Sequence, residues 1–173
     1  MQHRTVRALQ SAVGDLQSRI REELRPPSDS QPSPNQPILP FSLVKGTRGY
    51  IETVSHQINQ TYTVSCYDAC AVMIRRLIEI LIIECFEHHC LSPKIRNNDG
   101  DYFLLGELIN RFLDESTWSL GRNTKRGLKK MKTIGDQSAH SRHFNARRQY
   151  VDDIVMDLRV AVEELLYIAG LKT

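Results

Sequence analysis

The strongest constraint on the fold comes from residues 67–86, which are apolar on nearly every side when they are placed on a helix. A helix of this kind is stable only when other helices surround it. Apolar residues recur at helical spacing in four further segments, and no convincing run of alternating strand residues separates them. The sequence therefore predicts an all-α domain, an up-and-down bundle of about five helices.

The other predicted helices have recognisable positions and ends. One contains residues 50–58, before the central helix, and another contains residues 102–113, after it. Residues 97–101, between the central helix and the helix that contains residues 102–113, predict a turn. Asn123 or Thr124 is expected to cap a helix that continues toward Ala139. The last helix is expected to begin near Arg147 and to end at Gly170, which provides a C-terminal cap.

The prolines divide the chain. Six of the seven lie within residues 26–40, a segment without apolar periodicity, and this composition predicts a semi-rigid linker. Residues 41–173 would then form the helical domain. Residues 1–25 would form a separate short amphipathic helix.

That N-terminal helix has an apolar seam whose members are spaced by three and four residues alternately, with β-branched residues at one position and leucine at the other. This pattern favours a parallel two-stranded coiled coil. Because a lone helix of this length is marginal in water, the seam should be covered by a second copy, by the domain or by another protein. The predicted oligomerisation residues are Val6, Leu9, Val13, Leu16 and Ile20.

No apolar run approaches the roughly 18 residues of a membrane span, and the first residues do not resemble a secretory signal. We therefore expect a cytoplasmic protein that does not enter the membrane, with reduced and buried cysteines. The alternative is a zinc site formed by two of the cysteines and two neighbouring histidines. A helix cannot easily direct four side chains that are so close in sequence at one ion. No metal or cofactor is predicted. The cysteines are Cys66, Cys70, Cys85 and Cys90, and the alternative zinc ligands are Cys85, His88, His89 and Cys90.

Positive charge is concentrated in residues 121–148, which contain nine Lys or Arg residues and one acid, Asp136. The remaining residues contain 14 bases and 19 acids, so the charge is strongly asymmetric. Such asymmetry predicts an anionic partner, with nucleic acid as the first candidate. The expected phosphate-binding residues of this segment are Lys129, Lys130, Arg142, His143, Arg147 and Arg148, with Arg122, Lys125 and Arg126 beside them.

Few aromatic residues accompany these bases. Phe144, Tyr150 and Trp118 are the candidates for stacking on nucleobases. This number is too small to predict sequence-specific recognition of a single strand.

Two groups of ionisable residues could support chemistry. In the central helix, Arg75 and Glu79 are one turn apart and can pair; alternatively, Arg75 or Arg76 holds a phosphate that Glu79 positions. In the basic segment, Lys132, Asp136 and His140 follow at intervals of four residues, which places them on one helix face. There Asp136 could orient His140 for general acid–base chemistry while Lys132 stabilises negative charge.

The sequence also resembles a known superfamily. Residues 134–140, IGDQSAH, follow a basic residue and precede an amphipathic final helix, and YDACAVMIRRLIEILI upstream contains an Arg-Arg-x-x-Glu pattern. These motifs look like a bacterial branch of the HEPN-like superfamily of small helical domains. The resemblance covers roughly residues 41–172.

The resemblance implies a homodimer that binds RNA and cleaves it without a metal, as a defence or toxin effector. HEPN ribonucleases use an Arg, a polar residue directly after it and a His several residues later, and two such motifs meet across a dimer. His140 would be the catalytic histidine, while Lys132 and Thr133 stand where the arginine and the polar residue are expected, at a longer spacing. Two rival interpretations remain open: a non-catalytic oligomerisation and partner-binding module with an anion-binding cleft, and a site for a small phosphorylated ligand at Arg75, Arg76 and His140.

Overall fold

The computed structural model of the protein describes residues 37–172. The predicted N-terminal helix, with its five seam residues, and most of the predicted linker lie outside the described residues. In chain order the helices are α1 (Phe41–Val44), α2 (Gly49–Thr63), α3 (Tyr67–His88), a 3-10 turn (Ser92–Ile95), α4 (Leu105–Asp114), α5 (Arg122–His140), α6 (Arg148–Asp152) and α7 (Val155–Ile168).

The all-α prediction is confirmed. Within residues 37–172 the only extended pairing is one isolated bridge between Arg96 and Tyr102. The five helices that reach ten residues or more are α2, α3, α4, α5 and α7. They correspond to the five helices that the apolar periodicity predicts.

Helix α3 is the centre of the bundle, as its apolar sequence predicts. Ile74, Leu77, Ile78 and Leu81 are completely buried. The helix packs against α2, α5 and α7, and also against α4, α6 and the 3-10 turn. Burial on all sides explains why apolar residues occupy nearly every position of this segment.

Close packing of α5 on α3 depends on a glycine. A Cβ atom at Gly135 would lie 2.6 Å from the Cβ of Arg75 and 3.1 Å from the carbonyl oxygen of Ala71. Any larger residue would therefore push the two helices apart. This contact places the residue after Gly135, the acid Asp136, beside the charged turn of α3.

Several helix ends differ from the prediction. Residues 102–104 lie outside α4, because Tyr102 pairs with Arg96 and the amide of Phe103 donates to Ile95 O at 3.0 Å. Neither Asn123 nor Thr124 caps α5: the helix begins at Arg122, and the Thr124 hydroxyl is buried without a hydrogen-bond partner.

The start of α5 is instead held by Glu164 of α7, which accepts a hydrogen bond of 2.7 Å from the amide of Gly121.

The predicted last helix is divided into α6 and α7 by Asp153 and Ile154. Its end is as predicted, since Gly170 has a left-handed φ of +64° and the amide of Leu171 returns to Leu166 O at 3.0 Å.

The cysteine prediction is half correct. Cys70 and Cys85 are buried, and burial raises the pKa of the Cys70 thiol to about 12. Cys66 and Cys90 are exposed, because α3 spans Tyr67–His88 and these two residues lie just beyond its ends.

The end of the predicted linker also differs from the prediction. Ile38 and Leu39 are buried, and Arg159 of α7 donates a hydrogen bond to the Ile38 carbonyl at 2.7 Å.

Replacing Gly135 with alanine tests the importance of the close α3–α5 contact. We expect Gly135→Ala to lower the free energy of unfolding by about 1–3 kcal/mol, because the new methyl group would overlap Arg75. Urea denaturation followed by circular dichroism measures the change.

The matched control is Gly49→Ala at the start of α2, where a Cβ would meet no atom within 4 Å. That substitution should be neutral or stabilise the fold by up to about 1 kcal/mol. If the two substitutions lowered the free energy of unfolding equally, the close α3–α5 contact would not depend on the absence of a side chain at Gly135.

Candidate nucleic-acid interface

Four charged side chains form an ion-pair network where α5 crosses α3. Arg75 Nε donates to Asp136 Oδ1 at 2.7 Å, and Arg75 Nη1 lies 3.4 Å from Glu79 Oε2. Lys132 Nζ donates to the second carboxylate oxygen, Asp136 Oδ2. The predicted Arg75–Glu79 pair is therefore present, but it belongs to a larger network that joins two helices.

The network keeps Asp136 ionised. Partial burial raises the pKa of Asp136, but hydrogen bonds from Lys132 and Arg75 outweigh this effect and hold the pKa below its ordinary value. A carboxylate with a lowered pKa is a poor proton acceptor near neutral pH. Asp136 is therefore suited to stabilising cations.

The expected contact between Asp136 and His140 is absent. Both carboxylate oxygens of Asp136 face other partners, and within residues 37–172 the His140 side chain has no hydrogen bond. His140 is the last residue of α5 and is exposed. The structure thus pairs Lys132 with Asp136, whereas His140 forms no hydrogen bond with either of them.

Lys132 also packs against α4. Its Cε atom lies 3.0 Å from the position that a Cβ would take on Gly106. Its side chain is only 34% exposed, and its ammonium contacts Asp136. This environment gives Lys132 a structural role in joining α4 and α5.

The two arginines of α3 have different surroundings. Arg75 is half-buried and shared between two acids, so its charge is largely compensated. Arg76 is exposed and has no ion-pair partner within the described residues. The ion-pair interpretation of Arg75 and Glu79 is therefore observed, while Arg76 remains accessible.

The outer face of α5 presents unpaired cations. Arg122, Lys125 and Lys129 are exposed and have no ion-pair partner within residues 37–172. Their i, i+3, i+7 spacing places them on one side of the helix. We call this set the α5 basic row.

The neighbouring bases of α5 are partly compensated by one acid of α7. Lys130 Nζ lies 2.9 Å from Asp157 Oδ2, and Arg126 Nη2 lies 3.7 Å from Asp157 Oδ1. Both cations remain exposed beside the row. The face as a whole thus keeps a clear excess of positive charge.

The connection between α5 and α6 extends this positive surface. Arg142, His143 and Arg147 are exposed, and both arginines have no ion-pair partner in the described part of the chain. Arg148 differs from them. It lies 3.4 Å from Asp152 and stacks over the ring of Tyr62, so its side chain helps to attach α6 to α2.

Trp118 is not available for stacking on a ligand. Its ring packs at 5.1 Å from Phe86 and 5.0 Å from Phe112, and its Nε1 donates to Phe112 O at 3.1 Å. Phe144 and Tyr150 instead contact each other near the basic surface, with ring centroids 5.6 Å apart. Sequence spacing does not distinguish the packed Trp118 from the Phe144–Tyr150 pair, because the difference depends on tertiary packing.

The alternative zinc ligands do not converge. His89 Nε2 lies 3.0 Å from Ile168 O, the thiol of Cys85 donates to Leu165 O, and the His88 ring packs against Gly170. Residues 37–172 contain no group of three or more His, Cys, Asp or Glu side chains that could hold a metal ion.

No protein-family model, curated protein or solved structure matches the chain. None of the helices in the described range combines the length and the apolar character that crossing a membrane requires.

We predict that Asp136→Asn destabilises the fold by about 1–2 kcal/mol at neutral pH, because Arg75 and Lys132 would lose a charged partner in a partly exposed site. The folded-state pKa of Asp136 is lowered. Its stabilising contribution is therefore complete above the ordinary carboxyl pKa of about 4 and is lost as the pH falls through the lower folded value.

Urea denaturation of both proteins across a pH series checks this prediction. The gap between wild type and variant should be constant near neutrality and should shrink in acid. Asp99→Asn, in the exposed turn before α4, is the matched control and should show no such gap. A gap that persists unchanged in acid would argue against an ionic role for Asp136.

Proposed function

We propose that this protein binds RNA through the α5 basic row and the adjoining α5–α6 connection, as a helical domain of the HEPN-like kind. The observation that supports this proposal most is the presence of Arg122, Lys125 and Lys129 on one face without ion-pair partners among residues 37–172. Unpaired exposed lysine and arginine side chains are the groups that neutralise backbone phosphates and release their counterions.

The arrangement of the charges fits a polyanion. Neighbouring members of the row are separated by about 4.5 Å and about 6 Å along the helix axis. Arg142 and Arg147 then continue the surface beyond the end of α5. A row of this kind can contact successive phosphates, whereas a single small anion would use only one or two of the cations.

The contacts of Lys132 and Asp136 favour binding over cleavage. The resemblance implies that His140 acts with a cation near the position of Lys132. In the structure that cation is paired with Asp136, and Asp136 does not contact His140. A lysine also lacks the planar fork with which an arginine holds a phosphate. We therefore assign the ion-pair network to stability and the basic row to RNA contact.

Removing one cation of the row tests the binding proposal. We expect Lys129→Gln to weaken RNA binding and to reduce the slope of log affinity against log salt by about one. Fluorescence anisotropy of a labelled RNA over a range of salt concentrations provides both quantities.

Lys45→Gln is the matched control, because it removes one exposed lysine from the connection between α1 and α2. It should leave the salt slope unchanged. If both substitutions change the slope equally, binding is a property of total charge and the proposed surface is wrong.

The assignment of binding without cleavage predicts that wild type and His140→Ala leave a labelled RNA equally intact when each is incubated with it in the presence of a chelator. Gel electrophoresis of the RNA gives the result. Cleavage by wild type that His140→Ala abolishes would restore the catalytic role that the resemblance implies.

A further inference from the structure

An open groove lies beside the α5 basic row. It has a volume of about 670 Å³ and lies between α5 and the α6–α7 segment. Lys129, Lys130, Thr133 and Ile134 line it from α5. Tyr150, Asp153 and Ile154 line the opposite side. The volume lies within the range of about 300–1,000 Å³ that is typical of ligand pockets.

An aromatic pair stands at this groove. The rings of Phe144 and Tyr150 have centroids 5.6 Å apart and planes inclined by 30°. Tyr150 lines the groove and is still 41% exposed, although it contacts Phe144. Phe144 thus contacts one part of Tyr150, and a large part of the tyrosine surface remains accessible to a further partner.

Cations line the same groove and the adjoining chain. Lys129 lines the groove without an ion-pair partner in the described chain, and Arg147 is exposed one turn before Tyr150. An aromatic platform beside phosphate-binding cations is the combination that single-stranded nucleic acids require: a base stacks on the ring while its phosphate contacts the cation.

We infer that the groove accepts an unpaired nucleobase from single-stranded RNA, which stacks on Tyr150 while the adjacent phosphate contacts Lys129. This inference rests on the proposed RNA-binding function and specifies its substrate class. A base inside a duplex is stacked between its neighbours and cannot reach the ring unless it is extruded. Asp153, on the same wall, can accept a hydrogen bond from an amino group of the base.

The first test compares three ligands with the unchanged protein by fluorescence anisotropy. They are a labelled adenine-rich RNA strand, the same strand annealed to its complement, and a strand of equal length in which the bases are replaced by abasic positions. We expect the single strand to bind about tenfold more tightly than the abasic strand, because both carry the same phosphates but only one can stack. The duplex should bind more weakly than the single strand.

The second test changes the ring. Tyr150→Ala should weaken single-strand binding about tenfold and leave duplex binding unchanged, whereas Tyr150→Phe should bind like wild type because it keeps the stacking surface. Circular dichroism establishes that each variant is folded. If Tyr150→Ala does not fold, the comparison of the ligands with wild type decides the question.

The outcomes separate the two proposals. Binding to none of the three ligands overturns the proposed function, and with it this inference. Equal binding to the single strand, the duplex and the abasic strand overturns the inference alone, because it shows contact with phosphates without stacking. Loss of single-strand affinity in Tyr150→Phe as well as in Tyr150→Ala also contradicts the stacking role.

Discussion

The close approach of α5 to α3 at Gly135 determines how the rest of the charged surface is arranged. Without a side chain at this position, the helix is near enough for Asp136 to reach Arg75 of the buried central helix. Lys132, one turn earlier, completes the network and packs on Gly106 of α4. One side of α5 is thereby fixed to the bundle by ion pairs and apolar contacts. The exposed α5 basic row lies on the turns that precede this contact.

This arrangement gives Lys132 and the α5 basic row different roles. Lys132 has an acidic partner that lowers the cost of its partial burial, and its loss or that of its partner should reduce stability. Arg122, Lys125 and Lys129 have no such partner within residues 37–172, so their charge is available to an external anion. Successive turns of the same helix therefore carry the proposed RNA-binding row and the residues that support the fold. Proximity in sequence to His140 does not make Lys132 a catalytic group.

Much of the fold follows from periodicity, while the site depends on contacts between distant segments. The apolar pattern of residues 67–86 was sufficient to predict a central helix, and Gly170 to predict the end of α7, because both are local signals. The pairing of Asp136 with Arg75 joins residues 61 positions apart, and no local spacing predicts it. The sequence placed Asp136 beside His140 by helical spacing alone. No local spacing predicts the groove near Tyr150 either, because its two walls come from different helices.

The most direct test of the central claim is an NMR titration of the isotopically labelled protein with a single-stranded RNA. The account predicts that backbone amide signals change along the outer face of α5, around Lys125 and Lys129, and from Arg142 to Tyr150. Signals of α2 and of the buried α3 should remain unchanged. Changes confined to α2 or to the outer face of α7, with none on α5, would contradict the account.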